Sequence, residues 1–400
     1  MKMTRLAMDF RVWLILGVSL FAWDVQSQDS VPSPADPRDS APLVQRVRES
    51  GGQPGFAGDK IVRLGVCEPQ GDDHSFPFLK ELADLEELDI NHTNSGEWVQ
   101  YIVTLPKLSR VSTYRAGLTD HSCEFLAEMT QLRELTLDVN EITDAGIARI
   151  ARMANLEKLH LRHVAVTDKG LVSLSRLPKL KVLSLDHTRI SPEGVLALRD
   201  SPIEDLRWWV DPSYPNNALL PHVSQLPNLR RLNLSGRNVT DEEVIHVGNM
   251  PGLEELDMSG HRLTDKGMIH LAGLKNLKRL TLAPGGGRIG DAGVKHVSNL
   301  VELTSLSLSS TQVTNAGLQY LTGLGKLNSL DLGDTLVTAA GIESLEQLPN
   351  LEHLDITGTS MKDAHQLDFR KMRSLKRLVA YGFDERNILL PDGCYVTTFD

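Results

Sequence analysis

The sequence predicts an α/β solenoid, a curved stack of short parallel inner strands with helices on the outer side, and three observations carry that reading. Thirteen apolar anchors begin at Leu85, Leu108, Leu132, Leu156, Leu180, Ile203, Leu229, Leu253, Leu277, Leu303, Leu327, Leu351 and Leu375, each 23–26 residues after the last. Within an anchor, apolar and polar residues alternate; behind it, apolar residues recur three apart. A period held this long in a chain of 400 residues marks one repetitive assembly rather than several separate globules.

At the amino end, MKMTRLAMDFR carries Lys2, Arg5 and Arg11, and the apolar run Val12–Trp23 follows until Asp24 stops it. A helix of that length rises about 18 Å, short of the roughly 30 Å hydrocarbon layer of a bilayer. Residues 1–27 therefore read as a signal peptide cleaved after Ser27, with an uncleaved membrane anchor as the alternative. Residues 28–59 read as a Pro/Gly-rich spacer and the start of an amino-terminal cap. Prolines at 32, 34, 37 and 42 favour extended backbone, and glycines at 51, 52, 55 and 58 continue the irregular stretch. IVRLGV at Ile61 stands 24 residues before Leu85 with the anchor spacing, so the repeat domain is expected over 60–382 as about 14 units.

In LEKLHL, Leu159 and Leu161 share one face of a strand while Lys158, His160 and Arg162 take the other. Ile147, Ile150 and Met153 form the helical stripe of the preceding unit. Thr143 is placed to cap that helix, with Asp144 near its positive end; Ser191 followed by Pro192 repeats the signal. LPKL at 105–108 and 177–180, LPNL at 226–229 and 348–351, and MPGL at 250–253 put proline where a helix must stop. Strands pack about 4.8 Å apart and helices about 8–10 Å, so the wider helical side forces curvature. Thr188, Thr311, Thr335 and Thr359 recur at the turn after the strand, where their hydroxyls are expected to serve exposed turn backbone; Arg237 and His261 interrupt that pattern. No unit buries its apolar side alone, and residues 383–400 are expected to close the stack as a carboxy-terminal cap.

The anchors LRELTL at 132–137, LKVLSL at 180–185 and LTSLSL at 303–308, with the phrases ITDAGI at 142–147, VTDKGL at 166–171 and VTNAGL at 313–318, resemble the leucine-rich-repeat family. They are most similar to its helical, ribonuclease-inhibitor-like branch, found in ubiquitin-ligase adaptors and in exported bacterial proteins. The resemblance covers residues 60–400 and implies a horseshoe with parallel strands inside and helices outside. It implies no ligand.

Composition narrows the function. Hydrophobic residues are 41%, charged 24% and aromatic 5%, which excludes a disordered polyelectrolyte. A net charge of −10 without a basic tract argues against a nucleic-acid surface. Cys67, Cys123 and Cys394 lie too far apart in sequence for a dense disulfide scaffold. His160 and Ser184 fall on neighbouring strands and raise a hydrolase alternative, but no orienting acid, strained nucleophile turn or oxyanion donors accompany them. His246, His270 and His296 occupy matching helical positions without metal-site spacing, and the glycines at 285–287 lack the Lys-Ser/Thr of a phosphate loop. No catalytic, cofactor or metal residue is assigned.

The most selective feature is LRWWVDPSYPNN at 206–217. Trp208 takes the buried register and Trp209 the outward one, and Tyr214 follows in a proline-bordered excursion. Exposed aromatics anchor interfaces, and recognition by Trp209 stands against packing beneath its own loop. Asp205 and Arg207 would supply polar selection on the same face, with Tyr114 and Tyr381 as further open-face aromatics. The expected function is a non-enzymatic scaffold, periplasmic, cell-surface or extracellular, that binds a protein or glycan through its concave face without stable membrane insertion after cleavage. An intracellular ubiquitin-ligase-like substrate adaptor is the other alternative, opposed by the export signal.

Overall fold

The computed structural model describes residues 41–67, 76–208, 219–235, 239–283, 288–363 and 365–398. The segment read as a signal peptide, most of the spacer, Trp209, Tyr214, Arg237 and the glycines at 285–287 lie outside the described residues. The chain divides into an amino-terminal unit, residues 1–45, and residues 46–400. Of the first unit, the described residues begin the helix Pro42–Glu49.

The strands of the second unit open with β1 Gly52–Ala57, β2 Lys60–Cys67, β3 Glu87–Asn91, β4 Arg110–Tyr114, β5 Glu134–Asp138 and β6 Lys158–His160. They continue with β7 Val182–Ser184, β8 Asp205–Arg207, β9 Arg231–Asn233, β10 Glu255–Asp257, β11 Arg279–Thr281 and β12 Ser305–Ser307. β13 Ser329–Asp331, β14 His353–Asp355, β15 Leu367–Asp368, β16 Arg377–Val379, β17 Ile388–Leu389 and β18 Tyr395–Thr397 complete the set. Sixteen of them form one sheet in chain order, from β1 to β14 and then β16 and β18. β1 pairs antiparallel with β2, and every later pair in the sheet is parallel. The fold is an α/β solenoid.

The register is set by leucines. Leu64, Leu88, Val111, Leu135, Leu159, Leu183 and Leu206 are aligned across seven strands, and each is buried. A one-residue slip would turn every such side chain to solvent, so the apolar column locks the stack. The hairpin β1–β2 begins the sheet where the sequence suggested the end of a spacer. At the far end β18 pairs with β16, and β15 with β17.

Helix type varies among the units, and the 24-residue unit from Leu351 carries the 3-10 helix Ser360–Asp363. The units starting at Leu85 and Leu180 are 23 residues long, and their outer segments, Glu97–Tyr101 and Glu193–Leu198, are 3-10 helices. The 24-residue units from Leu132 and Leu156 carry α-helices, Asp144–Ile150 and Asp168–Leu174. A 3-10 helix rises about 2.0 Å per residue against about 1.5 Å. It crosses the same span with fewer residues.

The phrase T-D-x-G has a purpose that reaches beyond its own unit. Thr143 accepts from the Ala145 N–H and so caps its helix, as expected from the sequence. Its hydroxyl and N–H in turn donate to the Asp120 carboxylate of the preceding unit at 2.6 and 2.8 Å, and the Gly146 N–H joins at 2.9 Å. Asp144 repeats the pattern on Thr167 and Gly170, and Asp291 receives the N–H and hydroxyl of Thr314. Burial opposes ionisation of Asp120, yet the bonds from Thr143 and Gly146 prevail and hold its carboxyl below the usual range. Each aspartate thus satisfies helix-start N–H groups of the following repeat that have no partner inside their own helix.

The glycine is needed for space. A Cβ at Gly170 would lie 2.7 Å from Asp144 Oδ1, and one at Gly341 2.8 Å from Asn315 Oδ1.

The threonines after the strands serve turn backbone, and Thr188 does so from a part-exposed turn by donating to the Leu185 carbonyl. Thr311, Thr335 and Thr359 are buried, and their hydroxyls donate to carbonyls three residues back, at Leu308, Leu332 and Ile356. They close their own turns instead of serving exposed backbone. Asn140, with two donors and an acceptor, does more: it receives Ala116 and Leu118 N–H of the previous unit and donates to Thr113 and Asp138. His261 accepts from Leu263 through Nδ1, while its Nε2 has no partner among the described residues. Burial pushes its pKa down to about 4.

Asp144→Ala should lower unfolding free energy by about 2–3 kcal/mol, because it orphans three donors. Gly170→Ala should cost about 1–3 kcal/mol through the clash with the same carboxylate. Guanidinium unfolding checks both; a loss below about 0.5 kcal/mol, the scale of an ordinary surface change, would remove this bridge from the account of stability.

Candidate functional site

The strands present three outward rows on the face opposite the leucines. The first is a chain of alternating charge: Arg63 lies 3.3 Å from Glu87, and Arg110 lies 3.4 Å from Glu87 and 3.6 Å from Glu134. Lys158 also pairs with Glu134, Arg231 with Asp205 at 3.1 Å, and Arg279 with Glu255 at 3.4 Å. Exposed cross-strand pairs of this kind contribute about 0.2–1 kcal/mol each. This row spends much of its charge on itself.

The second row carries His160, Ser184 and Arg207 on consecutive strands. His160 Nδ1 lies 2.8 Å from Ser184 Oγ. Burial holds the His160 pKa below the ordinary imidazole value. The nearest acid of the neighbouring row, Asp138, is committed elsewhere: it receives the Arg162 N–H and Nε at 2.8 Å each and Nη2 at 2.7 Å. Ser184 is 1% exposed. The pair is a part-buried hydrogen bond between strands, with the Ser184 hydroxyl itself buried.

The third row begins with Asn91, Tyr114, Asp138 and Arg162. Tyr114 is exposed, with the His92 ring edge-on at 5.3 Å and the Arg115 guanidinium 5.7 Å above its own ring. Asp138 is buried despite its outward register, because Arg162 folds over it.

Among the described residues, Asp205, Arg207, Tyr114 and Tyr381 do not gather into one patch. Asp205 is buried and holds Arg231, with Arg207 at 3.8 Å, so it positions arginines and presents little surface of its own. Arg207 has a half-exposed side chain. Tyr114 stands four strands away from β8 along the sheet, and Tyr381 follows β16 near the other end. Tyr381 is exposed, as is Tyr395 on β18, whose ring lies 6.0 Å from the Arg377 guanidinium. Trp208 is buried, in keeping with its register. The three cysteines are free thiols; burial pushes Cys123 up to about 12.

Sequence reasoning missed the position one residue beyond the third row. His92, Arg115, Val139, His163 and His187 stand there in five successive units, with φ between 51° and 57°. The His163 and His187 rings stack at 4.0 Å with 10° between planes. The column is visible in the sequence as the seventh residue after each anchor, but its left-handed backbone is not.

The leucine-rich-repeat family pattern matches residues 152–175, 176–198, 251–272 and 303–321. The chain carries leucine-rich repeats and has the solenoid fold they build. Its fold is similar to that of an internalin, inlF, of Listeria monocytogenes, at 20% identity over 90% of this chain and 99% of that one, with a TM-score of 0.53. A leucine-rich-repeat protein of Leptospira interrogans is also similar, at 20% identity over 80% of this chain and 91% of the other, with a TM-score of 0.50. At such identity the likeness is one of fold. No curated protein matches the repeat chain in sequence.

Asp138→Ala should destabilise the repeats by about 2–3 kcal/mol through loss of charge-assisted bonds to Arg162. The double variant Asp138→Ala/Arg162→Ala should recover part of that loss in a thermodynamic cycle. Additive single losses would show that the two side chains act independently.

Proposed function

We propose that this protein is an exported scaffold that binds a protein partner through its strand face. The observation that carries the reading is the sixteen-stranded sheet itself, whose outward rows stand side by side on a continuous leucine core. Such a surface is rigid, because each outward side chain sits between two locked neighbours, and rigidity lowers the ordering cost of binding. Mixed charge in the first row and tyrosines near both ends favour a protein over a uniformly charged polymer. Trp209 and Tyr214 remain proposed anchors beside Arg207, and the helical outer segments support assignment to the ribonuclease-inhibitor-like branch.

Export rests on Lys2, Arg5 and Arg11 before the run Val12–Trp23. Among the described residues no helix is long and apolar enough to cross a membrane.

A displayed library of extracellular proteins, screened against the folded chain, supplies the partner. Affinity should then fall about tenfold or more, roughly 1.4 kcal/mol, in Arg207→Glu and in Trp209→Ala. Ile269→Glu, an exposed change on the helix Asp265–Leu271, should bind as wild type. Loss in the helix variant alone would move the binding surface to the other side. Amino-terminal sequencing of the mature chain should begin near Gln28; an intact, membrane-extracted Met1 chain would overturn soluble export.

A further inference from the structure

At the eighth residue after the anchor, several units use a side chain whose bonds do not depend on pH. Thr188, Thr311, Thr335 and Thr359 donate to a carbonyl of their own turn, and Asn140 bonds through its amide. The unit starting at Leu253 has His261 there instead. The residue is fully buried, and its Nδ1 accepts the Leu263 N–H at 3.0 Å, which places the proton of the neutral ring on Nε2. Nε2 meets no partner among the described residues. This geometry admits only the neutral imidazole. A second proton would sit on Nδ1, where it faces the Leu263 N–H and ends that bond, and the cation would be buried without an acceptor.

The turn that holds the ring ties three units together. Gly260 N–H donates to the Ala283 carbonyl of the following unit at 2.7 Å, and Arg262 N–H to the Val239 carbonyl of the preceding unit at 2.9 Å. Thr264 gives its N–H and hydroxyl to Asp241 of that preceding unit. The charged groups of the three units leave the ring unaided. Asp241 favours its protonation through its field but is already committed to Thr264. Glu243 holds the Thr240 N–H and hydroxyl, and Asp257 those of Ser259. Asp265 holds the N–H groups of Gly290 and Gly293, Asp291 the N–H and hydroxyl of Thr314, and Glu255 pairs with Arg279. Glu242, Arg262, Lys266 and Arg288 are exposed. Arg237, at the matching position one unit earlier, lies outside the described residues.

We propose that His261 is an acid-operated latch, whose protonation expels the ring, opens the turn 259–263 and uncouples the unit starting at Leu253 from both neighbours. β10 leads directly into this turn, so the opening interrupts the strand face as well. The direction follows from linkage. Burial, partly offset by Asp241, lowers the pKa in the closed turn to about 4, whereas the ring in the opened turn regains the ordinary value of about 6.5. The opened state therefore takes up its proton first as pH falls. The closed turn keeps its full stability above about pH 6.5 and loses it progressively down to about pH 4, the opening constant rising up to about tenfold per pH unit.

Amide hydrogen exchange of the full chain, corrected for intrinsic rates at each pH, reads the opening at Gly260 and Leu263. Protection of these two amides should fall about 30-fold between pH 7.5 and 5.0, while the amide of Thr311 in its own turn keeps its protection. His261→Thr and His261→Asn install the side chains of the other turns and should hold the protection of Gly260 and Leu263 constant over that range, with folding at pH 7.5 checked by circular dichroism. The same loss in either folded variant, or an equal loss at Thr311, overturns the proposal. A ring titration of His261 by proton NMR decides the matter in the wild-type chain even if neither variant folds: titration near pH 6.5 with the turn still protected overturns the latch, and a ring that charges only as the turn opens supports it.

Discussion

A carboxylate at the start of one helical segment reaches the N–H groups that open the next, and that contact lets a unit unable to bury its own apolar side become one step of a long assembly. Helix starts leave N–H groups without internal partners. Here a threonine of the same unit satisfies one, and an aspartate from the previous unit satisfies another while holding the threonine's hydroxyl and N–H. The contact recurs at Asp120, Asp144, Asp168, Asp241, Asp265 and Asp291, and at Asn315 in amide form. Leucine burial supplies the larger driving force, but it is nondirectional. The carboxylate bridge gives the helix side a register to match that of the strands.

The same division of labour appears on the strand face. In the first row, opposite charges on neighbouring strands pair with one another. In the second and third rows the polar groups turn inward on one another: His160 with Ser184 and Asp138 with Arg162. These contacts hold side chains in single positions. The proposed recognition falls to groups standing beyond that network, such as the exposed Tyr114 and Tyr381.

Those turns also set a cost against stability. Glycine at the seventh position would relieve the backbone, and later units use it at Gly260, Gly358 and Gly382. Histidine, arginine and valine in the first half of the sheet give up that relief. Strain is tolerable there because neighbouring units fix the backbone on both sides, through strand pairing and through bonds such as His92 N–H to the Tyr114 carbonyl and His163 N–H to the Asp186 carbonyl.

The periodic leucines determined the order of the units, the parallel pairing from β2 onward and the alternation of faces along each strand, because burial repeats with the strand period of two and with the unit length. Thr143 was legible as a cap for the same reason: its partner lies two residues away. What sequence reading could not assign were the contacts 23 to 28 residues apart at the helix starts and left-handed turns. Asp144 reads locally as a residue favoured by its own helix, whereas its bonds go to Thr167 and Gly170. Asp205 and Arg231 read as opposite charges on neighbouring strands and do pair, but the burial of Asp205 was not legible. His163 and His187 read as two unrelated polar residues until stacking brings their rings to 4.0 Å. Local pattern fixes which face a side chain takes; only the packing of one unit on the next decides which partner it meets and whether any of its charge is left for another molecule.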